Sequence, residues 1–371
     1  MRRIAHTVAV ATAVAAALLA GGEAAAAEPI TIGLAGPLTG SSAAIGAQML
    51  NGTRQAVADI NAAGGVLGRP LELRTEDDVC DPGQAVAVAN RLAGANVAVV
   101  IGHYCSGASI PASDVYADAQ IIQISPGSTN PKFTDRGLDN VFRVCGRDDQ
   151  QATAAAEYVA ARFKGTPVAI TNDKTPPGMT LGAVFRKTLE GKGVAIVEHE
   201  TINLGEMDYS SVVTKLKAAG VGVLYHAAYH REAGMILRQA REQNLDLRLV
   251  SNDDLNVPDF WAITGPAGQG ALFTFQADAS RLPEAKPVVD RLRADGKDAT
   301  GYTLYAYAAV QAWAASVTQA GKLDFKAVMP ALRKGPHDTV IGKVSFDAKG
   351  DVTNPAYRVY EWKDGTYDEA R

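Results

Sequence analysis

Along most of the chain the apolar and polar positions repeat one motif: a short apolar run, a loop of small or polar residues, then a longer stretch with apolar positions at helical spacing. The run ITIGLAG over 30–36 is the first strand, and Ala47, Leu50, Ala56, Val57 and Ile60 mark a helix over 44–61 that stops at Ala63-Gly64-Gly65. A strand over 71–74 ends at Asp77-Asp78, and Asp81-Pro82 opens a helix over 83–92, with proline at a helix start. The run over 97–102 is continuously apolar, as in a strand buried on both faces, and gives way at His103 to a loop holding Cys105, Ser106 and Ser109. A strand over 120–125 likewise ends in the loop Pro126-Gly127-Ser128-Thr129-Asn130-Pro131. Four βα units thus precede residue 135, which specifies a parallel, helix-flanked sheet.

After Phe142-Arg143-Val144 the pattern restarts. Helices are predicted over 150–164, 180–192, 209–219 and 232–243, alternating with strands over 167–171, 194–199, 222–225 and 248–250, and a loop over 172–178. A strand over 271–275, helices over 283–293 and 301–319, and terminal strands over 340–346 and 356–362 complete the reading. The fold class is α/β, with two doubly wound, Rossmann-like lobes whose boundary falls near Arg147.

A length of 371 residues fits two domains. The net charge of −4 and pI near 5.9, with no basic cluster beyond Met1-Arg2-Arg3, argue against a nucleic-acid partner or an anionic membrane surface. Arg2 and Arg3, an apolar run over 8–20 and the small residues Ala24-Ala25-Ala26-Ala27 read as a secretory signal peptide over 1–27. The apolar run is shorter than the roughly 20 residues a spanning helix needs, and no cysteine follows for lipid attachment. An exported protein without membrane insertion is expected. Of the three cysteines, Cys80 and Cys105 are the favoured disulfide, since each follows a strand-like segment in neighbouring βα units, and closing that loop contributes on the order of 3 kcal/mol. Cys145 continues a strand pattern and reads as a buried thiol.

No phosphate-binding loop, dinucleotide fingerprint, paired Cys-x-x-Cys or EF-hand loop occurs in the sequence, so no cofactor or metal is expected. Gly64-Gly65-Val66-Leu67-Gly68 follows a helix and precedes a strand, the reverse of a phosphate loop. Cys105-Ser106-Gly107 lacks the full nucleophile elbow, and His103 is read as packing and hydrogen-bonding locally. His226 and His230 have metal-pair spacing only if helical, whereas 221–225 reads as a strand running into a loop. The chemistry on offer is that of a binding site, not an enzyme. Two hydroxyl-bearing loops at strand carboxyl ends, with helix N-terminal N–H groups, suit a carboxylate, and Asp253 or Asp254 suits an ammonium, with capping as the competing role of those acids.

Several segments resemble a known family: Ala56-Val57-Ala58-Asp59-Ile60-Asn61-Ala62-Ala63-Gly64-Gly65, Asp77-Asp78-Val79-Cys80-Asp81-Pro82, Val100-Ile101-Gly102-His103-Tyr104-Cys105-Ser106, and Tyr229-His230 with Ile236-Leu237-Arg238-Gln239-Ala240. They are similar to the periplasmic leucine/isoleucine/valine-binding proteins of ABC importers, of the type I periplasmic binding protein fold. The resemblance implies two lobes joined by a three-strand hinge, one from 28–147 with 276–356 and the other from 148–275 with 357–371. It also implies the Cys80–Cys105 disulfide, a monomer that captures an amino acid, and a membrane permease as partner. Carried over by motif, the ligand carboxylate meets Ser106 and the backbone near Cys105 and Thr129, and the ammonium meets the Thr129 hydroxyl, the Gly127 carbonyl and Asp253, with Ser128 in the same loop. Tyr229 closes from the second lobe, and Tyr104 replaces a leucine at the rim. The side-chain pocket departs from the family's leucine binder, with Ile45 and Pro177 at positions of aromatic residues, Tyr302 or Thr303 at a third, and His226 in place of a glycine. The expected ligand is a neutral, aliphatic L-amino acid. A ligand-sensing or uptake module of the same fold for an amide, urea or aromatic acid is the alternative.

Overall fold

The computed structural model describes residues 27–353 and 355–370; apart from Ala27, the signal-peptide reading lies outside the described residues. The first half alternates as read: β1 (Ile30–Gly36), α1 (Ala43–Ala62), β2 (Leu71–Asp77), α2 (Pro82–Gly94), β3 (Val99–Gly102), α3 (Ser106–Asp118), β4 (Ile122–Ser125), α4 (Lys132–Asp135) and β5 (Val141–Arg143). These strands form one parallel sheet in the order β2-β1-β3-β4-β5. Its central strands β3 and β4 are wholly buried, which explains why they read as unbroken apolar runs.

The second sheet is built from β6 (Val168–Asn172), β7 (Ile196–Thr201), β8 (Val223–Ala227), β9 (Arg248–Ser251) and β10 (Leu272–Gln276), all parallel. It carries α5 (Asp148–Arg162), α6 (Pro176–Gly191), α7 (Ser210–Ala218), α8 (His230–Glu242) and α9 (Pro258–Thr264). After β10 the chain returns to the first sheet as α10 (Lys286–Ala294), α11 (Thr303–Ala320) and α12 (Phe325–Lys334), followed by the hairpin β11 (His337–Thr339) and β12 (Gly342–Val344). It then crosses back to add β13 (Tyr357–Lys363) and β14 (Thr366–Glu369) as an antiparallel edge, giving the order β14-β13-β10-β9-β8-β6-β7. α11 is apolar nearly all round, and it is buried along most of its length against α1 and the first sheet.

The chain therefore passes between the two sheets three times: after β5, after β10 and after β12. Buried Arg143 and Asp351 tie the first and last crossings together. Arg143 Nε lies 2.6 Å from Asp351 Oδ1, and Arg147 Nη1 lies 2.7 Å from Asp351 Oδ2. Among the described residues no helix is long and apolar enough to cross a membrane.

Three local readings are corrected. Ser106 and Ser109 lie in α3 rather than in a loop, because the helix starts directly at Ser106. The expected loop over 172–178 is cut short: Pro176 and Pro177 occupy the first turn of α6, where a missing N–H and a fixed φ cost nothing, and the Thr175 hydroxyl accepts from Gly178 N–H at 3.3 Å. The segment 340–346 is not one strand, since the chain turns at Val340-Ile341 and only β12 lies within it.

Candidate functional site

Strand registers bring the loops to facing edges. In the first sheet Ala35 pairs with Gly102 and Ile101 with Ile124, so the turns after β1, β3 and β4 emerge side by side. In the second, Asn172 pairs with Ala227 and His226 with Ser251, aligning the turns after β6, β8 and β9. Strand carboxyl ends from both sheets thus face one cleft. About 370 Å³ of empty space, part of it open to solvent, lies between them as a cavity. From the first sheet come Tyr104, Cys105, Ser106, Gly127 and Thr129. From the second come Asp148, Asp173, Thr175, Pro177, Gly178 and Leu181, together with Ala228, Tyr229, Asn252, Asp253 and Asp254.

The wall from the first sheet offers hydroxyls and a helix N-terminus. Ser106 is the first residue of α3, so its N–H and those next to it face the cavity side of the helix end. Its Oγ accepts the Asn130 N–H at 3.1 Å, joining α3 to the loop after β4. The disulfide between Cys80 and Cys105 is formed and fastens the start of α3 to the segment after β2. Ser128 is wholly buried and serves the loop itself: its Oγ lies 2.8 Å from the Tyr104 carbonyl and against Ser109 Oγ. Arg143 clamps the same loop from behind through the Ser128 and Asn130 carbonyls at 2.6 and 2.9 Å. Gly127 has no room for a side chain, because a Cβ there would strike the Tyr104 ring.

The opposite wall is acidic. Asp253 accepts from Gln151 Nε2 at 2.8 Å and from the Tyr302 hydroxyl; burial pushes its carboxyl up to about 6, against those two donors, and Asp254 adds to the push. Burial and the nearby Asp253 charge raise Asp148 to about 7. Burial also acts to raise Asp254, but the His230 charge and its donors outweigh it and hold Asp254 below the usual carboxylate range. Asp254 accepts from His230 N–H at 2.6 Å and faces His230 Nδ1 at 2.9 Å. Its other oxygen takes the Tyr104 hydroxyl at 2.6 Å, a bond from one sheet's loops to the other's. Burial raises Asp173 against the donors of Thr175. Among the described residues that line the cavity none is a lysine, arginine or histidine.

The sequence-predicted residues divide. Tyr104, Cys105, Ser106, Gly127, Thr129, Pro177, Tyr229 and Asp253 line the cavity. Tyr104 is only 5% exposed and spans the cleft instead of sitting at a rim. Ile45 is buried in α1 and packs in the apolar core, away from the cavity. Tyr302 stands behind Asp253 and meets it through its hydroxyl. His226 lies in β8 with its ring against the Thr171 hydroxyl at 2.8 Å; burial lowers it to about 4, so it is a neutral core histidine. His103 is wholly buried between Asp78, 2.6 Å from Nδ1, and the Tyr116 hydroxyl, 3.0 Å from Nε2, which gives it a structural role. Asp148, Asp173, Thr175 and Asn252 were absent from the sequence reading, because carboxylate, hydroxyl and amide residues next to helix starts carry the same signal as ordinary caps.

Two α/β lobes joined by three crossings, with hydroxyls and a helix N-terminus facing acids across a cleft, define a type I periplasmic binding protein. The comparisons agree. The sequence profile described as periplasmic binding protein matches residues 29–366, and the chain belongs to that family, whose members bind substrates for transport. It is 43% identical over 337 residues to the Leu/Ile/Val-binding protein homolog 1 of Brucella melitensis, covering 91% of each chain. It is 46% identical over 345 residues to the amino acid binding protein of Pseudomonas aeruginosa, covering 92% of each. Among solved structures it is similar to the branched-chain amino acid transporter substrate-binding protein LivJ of Streptococcus pneumoniae in complex with isoleucine, with a TM-score of 0.84, 25% identity and coverage of 92% and 100%. The fold of the leucine-binding protein LivK of Thermotoga maritima matches with a TM-score of 0.85 at 24% identity, over 92% of this chain and 98% of that one.

Proposed function

We propose that this protein is the periplasmic substrate-binding component of an ABC importer and captures a neutral L-α-amino acid of branched-chain size by closing its lobes. The observation that carries the reading is the opposition across one cavity of the α3 N-terminus with Ser106 to the buried acid Asp253. A carboxylate is favoured at the first by N–H groups and the helix dipole, and an ammonium at the second by charge. In this reading Ser106 and the N–H groups near Cys105 hold the carboxylate, while Thr129, the Gly127 carbonyl and Asp253 hold the ammonium. A carboxylate has about four acceptor sites, so Asp253 can take the ligand while keeping Gln151 and Tyr302. Tyr104 and Tyr229 close around it. The names of the relatives, and isoleucine in the Streptococcus structure, support this ligand class. A permease is the partner the reading requires, and export through a signal peptide delivers the protein to it.

A thermal-shift panel of the twenty amino acids tests the proposal. A ligand at a thousand times its Kd stabilises by about 4 kcal/mol and raises Tm by several degrees. A flat panel at 10 mM refutes it.

A further inference from the structure

One buried carboxylate oxygen on the cavity wall has no hydrogen-bond donor among the described residues. Asp173 lies at the end of β6, is 1% exposed and lines the cavity. Its Oδ1 accepts the Thr175 N–H at 2.8 Å and the Thr175 hydroxyl, which fixes the turn into α6. Its Oδ2 is buried and has no hydrogen-bond partner among the described residues. A buried carboxylate oxygen without a donor costs about 1–3 kcal/mol or more, so an arrangement that keeps one needs an explanation.

The surroundings place this carboxylate on the cavity wall. Gly178, also on the cavity wall, makes the room: a Cβ there would collide with Asp173 Oδ1. Pro177 beside it has no N–H to offer. Asp173 and Tyr229 are close enough for the carboxylate charge to raise the tyrosine hydroxyl, after the larger effect of burial. Asp173 follows β6, and Pro177 and Gly178 open α6, whereas the proposed head-group residues follow β3, β4 and β9. With the head group held as proposed above, Asp173 is on the part of the wall left for the ligand's side chain.

We infer that Asp173 Oδ2 is a donor-recognising subsite for the far end of the ligand, so that amino acids of branched-chain size ending in an O–H or N–H group are preferred over their purely aliphatic isosteres. The inference rests on the amino-acid reading above and sharpens its substrate class. A ligand donor satisfies the orphaned oxygen, while an aliphatic end leaves it dry and unpaired. Sites built to meet a polar group discriminate far more strongly against an analogue lacking it than apolar pockets discriminate between isosteres.

Isosteric pairs test it by calorimetric titration of the ligand-stripped full chain: valine against threonine, leucine against asparagine. In at least one pair the donor-bearing member is expected to bind tenfold or more tightly, and Asp173→Asn is expected to cut that ratio at least fivefold. The conservative amide can retain one acceptor toward Thr175, and an unchanged circular-dichroism melt confirms that the turn survives. If Asp173→Asn unfolds the turn, Gly178→Ala, which displaces the carboxylate, is expected to reduce the same ratio. Valine and leucine both binding at micromolar Kd and beating their polar isosteres overturns the subsite while leaving the amino-acid reading intact. No binding by any of the four, together with a flat thermal-shift panel, removes both.

Discussion

Tyr104→Phe isolates one bond between the two sets of loops. The hydroxyl lies 2.6 Å from Asp254 Oδ1, with Tyr104 and Asp254 5% and 3% exposed. A hydrogen bond to a charged group contributes about 1.5–3 kcal/mol, or roughly 10- to 150-fold in an equilibrium constant. Asp254 keeps both contacts from His230, so the charge is not stranded and the cost belongs at the lower end, about tenfold. Because the bond exists only while the lobes are together, the loss falls on the closing equilibrium and so on the apparent Kd. Titration calorimetry with the tightest amino acid from the thermal-shift panel reads it: Kd about tenfold weaker, with the unliganded Tm within 2 °C or so of the parent. Unchanged affinity combined with a clear drop in unliganded Tm shows instead that the bond belongs to a fixed core and refutes the argument.

Asp253→Asn removes the proposed ammonium partner and is expected to weaken binding by about 2 kcal/mol or more, some 30-fold, in the same titration. The variant's unliganded melt stays level or rises, since Asp253 is a buried acid held above its ordinary range. The unliganded protein is expected to lose stability as pH rises from about 5 to 8 in a series of urea melts. Asp253 and Asp148, raised to about 6 and 7, bind protons in the folded state that the unfolded chain has released, so the slope of stability against pH is negative there. His230, which burial lowers but Asp254 raises overall, contributes stability below its unfolded value near 6.5 that fades as pH climbs through its folded one. Asp254, held low, contributes above its unfolded value near 4 and loses that on acidification, so the two together favour mildly acid pH. A melt that strengthens steadily from pH 5 to 8 contradicts this. Reducing the disulfide, which closes a separation of 25 residues, is expected to cost about 3 kcal/mol, read as a lower urea midpoint in dithiothreitol.

Much of the architecture can be read from the chain because parallel strands buried on both faces write themselves as unbroken apolar runs, as in Val99–Gly102 and Val168–Asn172. Short or irregular elements escape that signal, among them α4, α9, β11 and β14, and α12, which carries Pro330 in its interior. The Ser106 and Thr129 side of the cleft is equally legible, since hydroxyls after such strands have one natural place in an open sheet. The opposite wall is not. Asp148 opens α5 and Asp173 fixes a turn, roles that a cap performs without any ligand, and only their burial on the wall of one cavity sets them apart. His226 and Ile45 fail for the converse reason. In a strand buried on both faces, as β8 is, or on the buried side of a helix, as in α1, sequence does not tell the positions that meet a cavity from those that meet the core.

In the proposed function, Ser106 with the α3 N-terminus on one side and Asp253 on the other recognise an α-amino-acid head. Titrating the ligand-stripped protein with its best L-amino acid, with that amino acid's methyl ester and with the corresponding decarboxylated amine tests it directly. One-to-one binding of the amino acid, weakened at least a hundredfold in both analogues, is the result expected. Equal binding of either analogue contradicts the claim.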